Sequence, residues 1–176
     1  MKKFKNSFII ISLLLISLVL SSCQNRIIQE PTIKVSHANN ELKVTHYLNI
    51  KNKKSEDIER GIKDFMIGKR FIDLPVIDFG DKLEIEAVNF ETTEFEVYDY
   101  IVDENGNIIS DYSISPFAIA LVNNGNAEFI FEKDDNFEIY NDYKVEGKSI
   151  HCLLMRSKID KSSYAFGIFV LGVDKE

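Results

Sequence analysis

Two stretches near the end of the chain decide how its fold is read: SIHCLLMRS, residues 149–157, and YAFGIFVLGV, residues 164–173. Successive side chains of a strand point to opposite faces, so a strand that is apolar on both must be covered on both. These two are therefore expected at the centre of a sheet. Working back along the chain, AEFIFE (127–132), PFAIALV (116–122), EFEVYDYIV (94–102) and KLEIEAVNF (82–90) read as further strands. The last alternates Leu83, Ile85 and Ala87 against Glu84 and Glu86, the pattern of a half-buried strand. In EFEVYDYIV, Phe95 and Val97 keep one phase while Tyr98, Tyr100 and Val102 keep the other. A bulge near Tyr98–Asp99 would reconcile them. DENGN (103–107) and NNGN (123–126) mark hairpins, with Asn105-Gly106 suited to a type I′ turn.

Nearer the start, TIKVS (32–36) and LKVTHYLNI (42–50) alternate as strands around the turn HANNE (37–41). A single helix is expected near residues 55–67. Ser55 offers an N-cap, Glu56 and Asp57 suit the first turn, and Ile58, Ile62, Phe65 and Met66 share a face. Gly68 suits its end, and Gly61 inside it costs ~1 kcal/mol against alanine, so tertiary support is required. The expected class is mainly β: one antiparallel β-sandwich over residues 32–176, with one short helix. The spacing of strands and turns resembles immunoglobulin-like sandwiches. The internal marks of a true immunoglobulin domain are absent, since the chain has no Trp, no cysteine pair within the domain and no Tyr two residues before Cys152.

The chain begins differently. Lys2, Lys3 and Lys5 precede Phe8–Leu20, an apolar run broken only by Ser12 and Ser17. That is a signal-peptide pattern, shorter than the ~20 residues a spanning helix needs. The residues that close it, Leu20-Ser21-Ser22-Cys23, resemble the lipobox of bacterial lipoproteins. The resemblance implies a diacylglycerol on the Cys23 sulfur, cleavage before Cys23, and acylation (palmitate or a similar chain) of the new amino group. It thus implies a signal over 1–22, a lipidated cysteine with a tether over 23–31, and a domain facing outside the cytoplasm on the cell membrane. Gln24 after the cysteine would permit the outer membrane in a cell with two. The tether QNRIIQEP (24–31) spans at most about 30 Å when extended.

Of the 176 residues, 21 are Lys or Arg and 28 Asp or Glu. Without the three signal lysines the balance is −10, unsuited to nucleic acid. Cys152, in an apolar stretch, reads as a small buried hydrophobe, with His151 on the opposite face. His37, His46 and His151 belong to no ligand-spaced motif. No metal site, cofactor motif or catalytic constellation is found. DENGN lacks the glycine at position six of a calcium loop, and the acidic run Glu132, Asp134, Asp135 and Glu138 reads as a solvated turn. Tyr98, Tyr100, Tyr112, Tyr140 and Tyr143 fall near strand ends; if exposed together they could stack on sugars or peptides. The functional expectation is a membrane-anchored binding or interaction module for an envelope protein, peptide or glycan. The alternatives are an immunity or sequestering lipoprotein that captures a cationic peptide, and an envelope hydrolase, for which an acid–base pair would have to converge in the fold.

Overall fold

The alternation in KLEIEAV is realised as a half-buried strand in the first of two packed sheets. The computed structural model describes residues 30–47, 55–67, 70–110, 115–133, 140, 142–159 and 162–175. The lipobox, Tyr112, Gly68 and Asp134, Asp135 and Glu138 of the acidic run lie outside them. Pro31–Glu176 forms one compact unit. Its first sheet joins β1 (Thr32–His37), β2 (Asn40–Leu42), β5 (Lys82–Val88) and β8 (Asn126–Ile130) in the order β2-β1-β5-β8. The second has the order β3-β10-β9-β6-β7, formed by β3 (Thr45–Tyr47), β10 (Ser162–Val173), β9 (Ser149–Ile159), β6 (Glu94–Val102) and β7 (Ala118–Leu121). The two stretches expected at a sheet centre, β9 and β10, are interior strands. One pair departs from the antiparallel expectation: β4 (Val76–Asp78) runs parallel to β10, with Leu171 opposite Val76 and Val173 opposite Asp78.

Between the sheets lies the main core, built from Ile33, Val35, Leu83 and Ile85 on one side and Phe95, Val97, Met155 and Phe166 on the other. Burying each such side chain contributes about 1.5–3 kcal/mol relative to exposure. The outer face of the first sheet is polar. Lys34 meets Glu86 at 3.2 Å, and Lys82 meets both Glu84 and Glu128 at 3.0 Å. These pairs are exposed and add little stability.

The second sheet is different because the helix α1 (Ser55–Met66) lies on its outer face. Ile62 and Met66 are buried there with Tyr98, Tyr100, Val102, Ile150, Cys152 and Leu171; the side chains of Ile58 and Phe65 lie outside the described residues. This removes the need for the expected bulge. β6 pairs with β9 in unbroken register from Glu96–Arg156 to Val102–Ile150. Phe95, Val97 and Ile101 face the inter-sheet core while Tyr98, Tyr100 and Val102 face the helix. Both phases are apolar because both faces are covered.

Two further expectations are corrected. LKVTHYLNI is not one strand: β2 stays in the first sheet and β3 joins the second, the chain crossing at Lys43–Val44. Likewise NNGN makes the expected tight turn, with Asn124 at φ 51° and Gly125 at φ 81°, yet the strands it joins belong to different sheets. DENGN turns the chain by another route than type I′. Gly106 alone takes a positive φ, of 79°, and the Asp103 carboxylate accepts from the backbone N–H groups of Asn105 and Asn107 and from the Asn107 side chain. Burial alone would raise the Asp103 pKa, but the hydrogen bonds from Asn107 and Asn105 outweigh it and hold the group below the ordinary carboxylate value.

Gly106 is also where the turn meets the helix. A Cβ there would lie 3.2 Å from Met66 Cβ and Cγ and 3.3 Å from Lys63 Cα. Gly106→Ala is therefore expected to lower stability by about 1–2 kcal/mol, from the left-handed backbone and the crowded helix contact together. The shift of the denaturant midpoint measures it.

Candidate functional site

The inward phase of β9 brings Ser149 and His151 to one side of the core, two residues apart. The neighbouring strand β6 supplies Asp99, diagonal to His151 in a register that pairs Ile101 with His151 and Asp99 with Leu153. His151 Nδ1 lies 2.9 Å from both carboxylate oxygens of Asp99, and its Nε2 lies 2.7 Å from Ser149 Oγ. The Ser149 hydroxyl donates to the Gly172 carbonyl at 3.4 Å. Phe79 and Phe131 set their rings edge-on to the imidazole, with centroids 5.5 and 5.0 Å away. Gly172 makes this fit, since a Cβ there would come within 2.7 Å of Phe79 Cζ and 2.8 Å of His151 Nε2.

The order Asp–His–Ser is that of a hydrolase relay, in which the serine must reach a substrate. Here Ser149 is 2% exposed and His151 1%. The hydroxyl is spent inside the fold, and the array acts as an internal tie across β6, β9 and β10. His151 is thus a hydrogen-bonded structural residue, on the face opposite Cys152 as the sequence suggests. Its partners were not foreseen. The available signal was Asp99, a lone charge on the inward phase of a strand, which the assumed bulge placed at a kink instead.

The five candidate tyrosines do not form one exposed group. Tyr98 and Tyr100 are buried beneath the helix layer, their rings stacked at 6.5 Å. Burial pushes the Tyr100 hydroxyl up to about 12, and burial followed by the Glu96 hydrogen bond raises that of Tyr98. As binding candidates these two are corrected to core residues, because the helix-covered face has no route to a ligand. Tyr140 packs partly buried against the inter-sheet core, and Tyr143 is exposed. Cys152 is fully buried as expected, and burial, with Asp99 nearby, drives its thiol pKa upward.

The candidate surface lies on the rest of the second sheet's outer face. There the register runs Ile119–Glu96–Arg156–Ala165 across four strands, with Leu121 opposite Glu94 and Lys158 opposite Ser163 in the next row. A depression of about 190 Å³ opens between Glu94, Glu96, Arg156 and Lys158. On its wall Ser157 donates to Thr92 Oγ1 at 2.6 Å. Arg156 lies 5.5 Å over the Tyr98 ring, whose hydroxyl donates to Glu96 at 3.1 Å. Beside this charged strip, Ile119 and Leu121 of β7 are 56% and 71% exposed. The site is thus a mixed surface, with carboxylates and aliphatic side chains next to one another at a sheet edge.

Two outcomes are expected for the interior. Asp99→Ala strands a buried imidazole and should cost about 3 kcal/mol, read from urea unfolding. Cys152 should stay unmodified by a thiol reagent in the folded protein and react only on unfolding.

No family model, curated protein or solved structure matches the chain, so what this surface can bind is read from its own residues.

Proposed function

We propose that the protein is a bacterial lipoprotein whose sandwich domain is a binding module held at the membrane by lipid on Cys23, outside the cytoplasm. The observation that carries this is the run from Lys2 through the apolar Phe8–Leu20 to Leu20-Ser21-Ser22-Cys23. The chemistry suits the position. A thiol is nucleophilic enough to take the diacylglycerol group, and small residues before it let the extended backbone enter a peptidase cleft. Each buried methylene contributes ~0.8 kcal/mol, so two or three acyl chains anchor stably where one binds marginally.

The domain behind the tether supports the binding half of the reading. Two packed sheets provide the scaffold, which we take as immunoglobulin-like in the broad sense, with one face screened by charge and another presenting the mixed strip of β6, β7 and β9. The acidic balance of the mature chain favours cationic partners and disfavours nucleic acid. The Asp99–His151–Ser149 array is enclosed, so the reading needs no chemistry from it.

Cys23→Ala should move the protein from the membrane fraction to the soluble fraction, and the mass of the wild-type N-terminal peptide should carry acyl chains. Retention of the variant as an alkali-resistant integral protein would show an uncleaved helix and overturn the proposal.

A further inference from the structure

The strand β7 terminates the six-stranded sheet, and among the described residues no strand pairs with its outer side. Its alternation is fixed by its partner. Val122 N–H donates to Thr93 O in register with the ladder; Phe117, just before β7, also donates its N–H to Val97 O, so the alternation holds from Ala118 onward. With Ala118 opposite Val97 and Ala120 opposite Phe95, the even-numbered residues of β7 turn their backbone groups toward β6. The N–H and C=O groups of Ile119 and Leu121 therefore point to the open edge, and their side chains stand on the outer face. Natural edges are usually blunted by a charge, a proline or a covering loop. From Phe117 to Val122 the sequence FAIALV has no charge and no proline. The charges next inward are carboxylates, Glu94 opposite Leu121 and Glu96 opposite Ile119. Arg156 and Lys158 stand two strands away on β9, with Arg156 over the Tyr98 ring.

We propose that β7 is a strand-addition site for an extended peptide with alternating apolar side chains and basic flanks. Backbone hydrogen bonds to Ile119 and Leu121 would supply the pairing, and apolar side chains of the peptide would pack beside these two residues. Basic flanks would meet Glu94 and Glu96. A second copy of the chain is the weaker occupant, because two mature chains each carry −10 and would bring these carboxylates together. The inference rests on the reading of the domain as a binding module, and names its surface and partner class.

The test uses the mature lipidated protein in detergent and a fluorescent peptide of alternating valine and threonine with two lysines at each end, followed by anisotropy. Saturable binding is expected. It should weaken at least about tenfold when salt rises from 20 to 300 mM, and by a similar factor with glutamates in place of the lysines, both on the order expected for screened charge pairs. Ile119→Pro removes an outward N–H without touching the β6 ladder and should abolish binding while circular dichroism stays unchanged. If that variant misfolds, Ile119→Lys with Leu121→Lys replaces it, altering only exposed side chains, and should also abolish binding. Undiminished binding by a folded variant, or no binding of the peptide at millimolar concentration, overturns the inference. So does a dimer in sedimentation that dissociates in these variants. Failure here with Cys23-dependent membrane attachment intact rejects the β7 site alone; peptide binding at β7 by a protein that ignores Cys23→Ala rejects the anchor alone.

Discussion

The pairing of β9 with β10 is the constraint on which the rest depends. Ser149–Ile159 runs against Ser162–Gly172 without interruption, and these two strands bind β6 on one side and β3 and β4 on the other. Over Ser149–Met155 and Ala165–Gly172 their side chains are buried on both faces, one set against the first sheet and the other beneath the helix. Two-sided burial explains why apolar residues occupy both phases, and why a polar residue on either phase must find a partner inside. Asp99, His151 and Ser149 satisfy one another for that reason, and the glycine at 172 leaves room for the imidazole. An unpaired polar group in such a place costs more than a hydrogen bond returns, so the array is an all-or-none element of the core.

The parts of the fold that could be read from the sequence are those governed by neighbours along the chain. The helix Ser55–Met66, the tight turn at Asn124–Gly125 and the half-buried alternation of Leu83, Ile85 and Ala87 each follow from local periodicity or local backbone geometry. So does the central place of the final strands, since apolarity on both phases is visible without knowing what covers it. What could not be read depends on distant contacts. The crossing at Lys43–Val44 preserves the alternation of Leu42 and Val44 while changing sheets, so its pattern is that of a continuous strand. Parallel pairing of Val76–Asp78 with Leu171–Val173 joins segments nearly a hundred residues apart. The phase conflict in EFEVYDYIV suggested a bulge because the helix that covers Tyr98 and Tyr100 is packed there from far upstream.

The same division holds for the surface. Tyrosines near strand ends are good markers of a contact face only when that face is open, and Tyr98 and Tyr100 lie on a face that α1 closes. Ile119 and Leu121 gave no sign of exposure in sequence, because alternation in PFAIALV is hidden by small alanines on the inward phase. The edge becomes visible only once β7 is seen to end its sheet. Charge separates the two outer faces as well: the first sheet carries lysine–glutamate pairs across β1, β5 and β8, whereas the second leaves aliphatic groups beside carboxylates.

That β9 and β10 follow β3, β4, β6 and the helix in chain order has a consequence for folding during synthesis. A polypeptide leaves the ribosome N-terminus first. Until residues 149–173 emerge, β3, β4 and β6 have no centre to dock on, and the helix has no sheet to cover. The second sheet and its helix layer thus wait on these two strands. Completion of the fold is timed by the arrival of β9 and β10, and a chain cut short within them would leave the inner face of the first sheet partly uncovered.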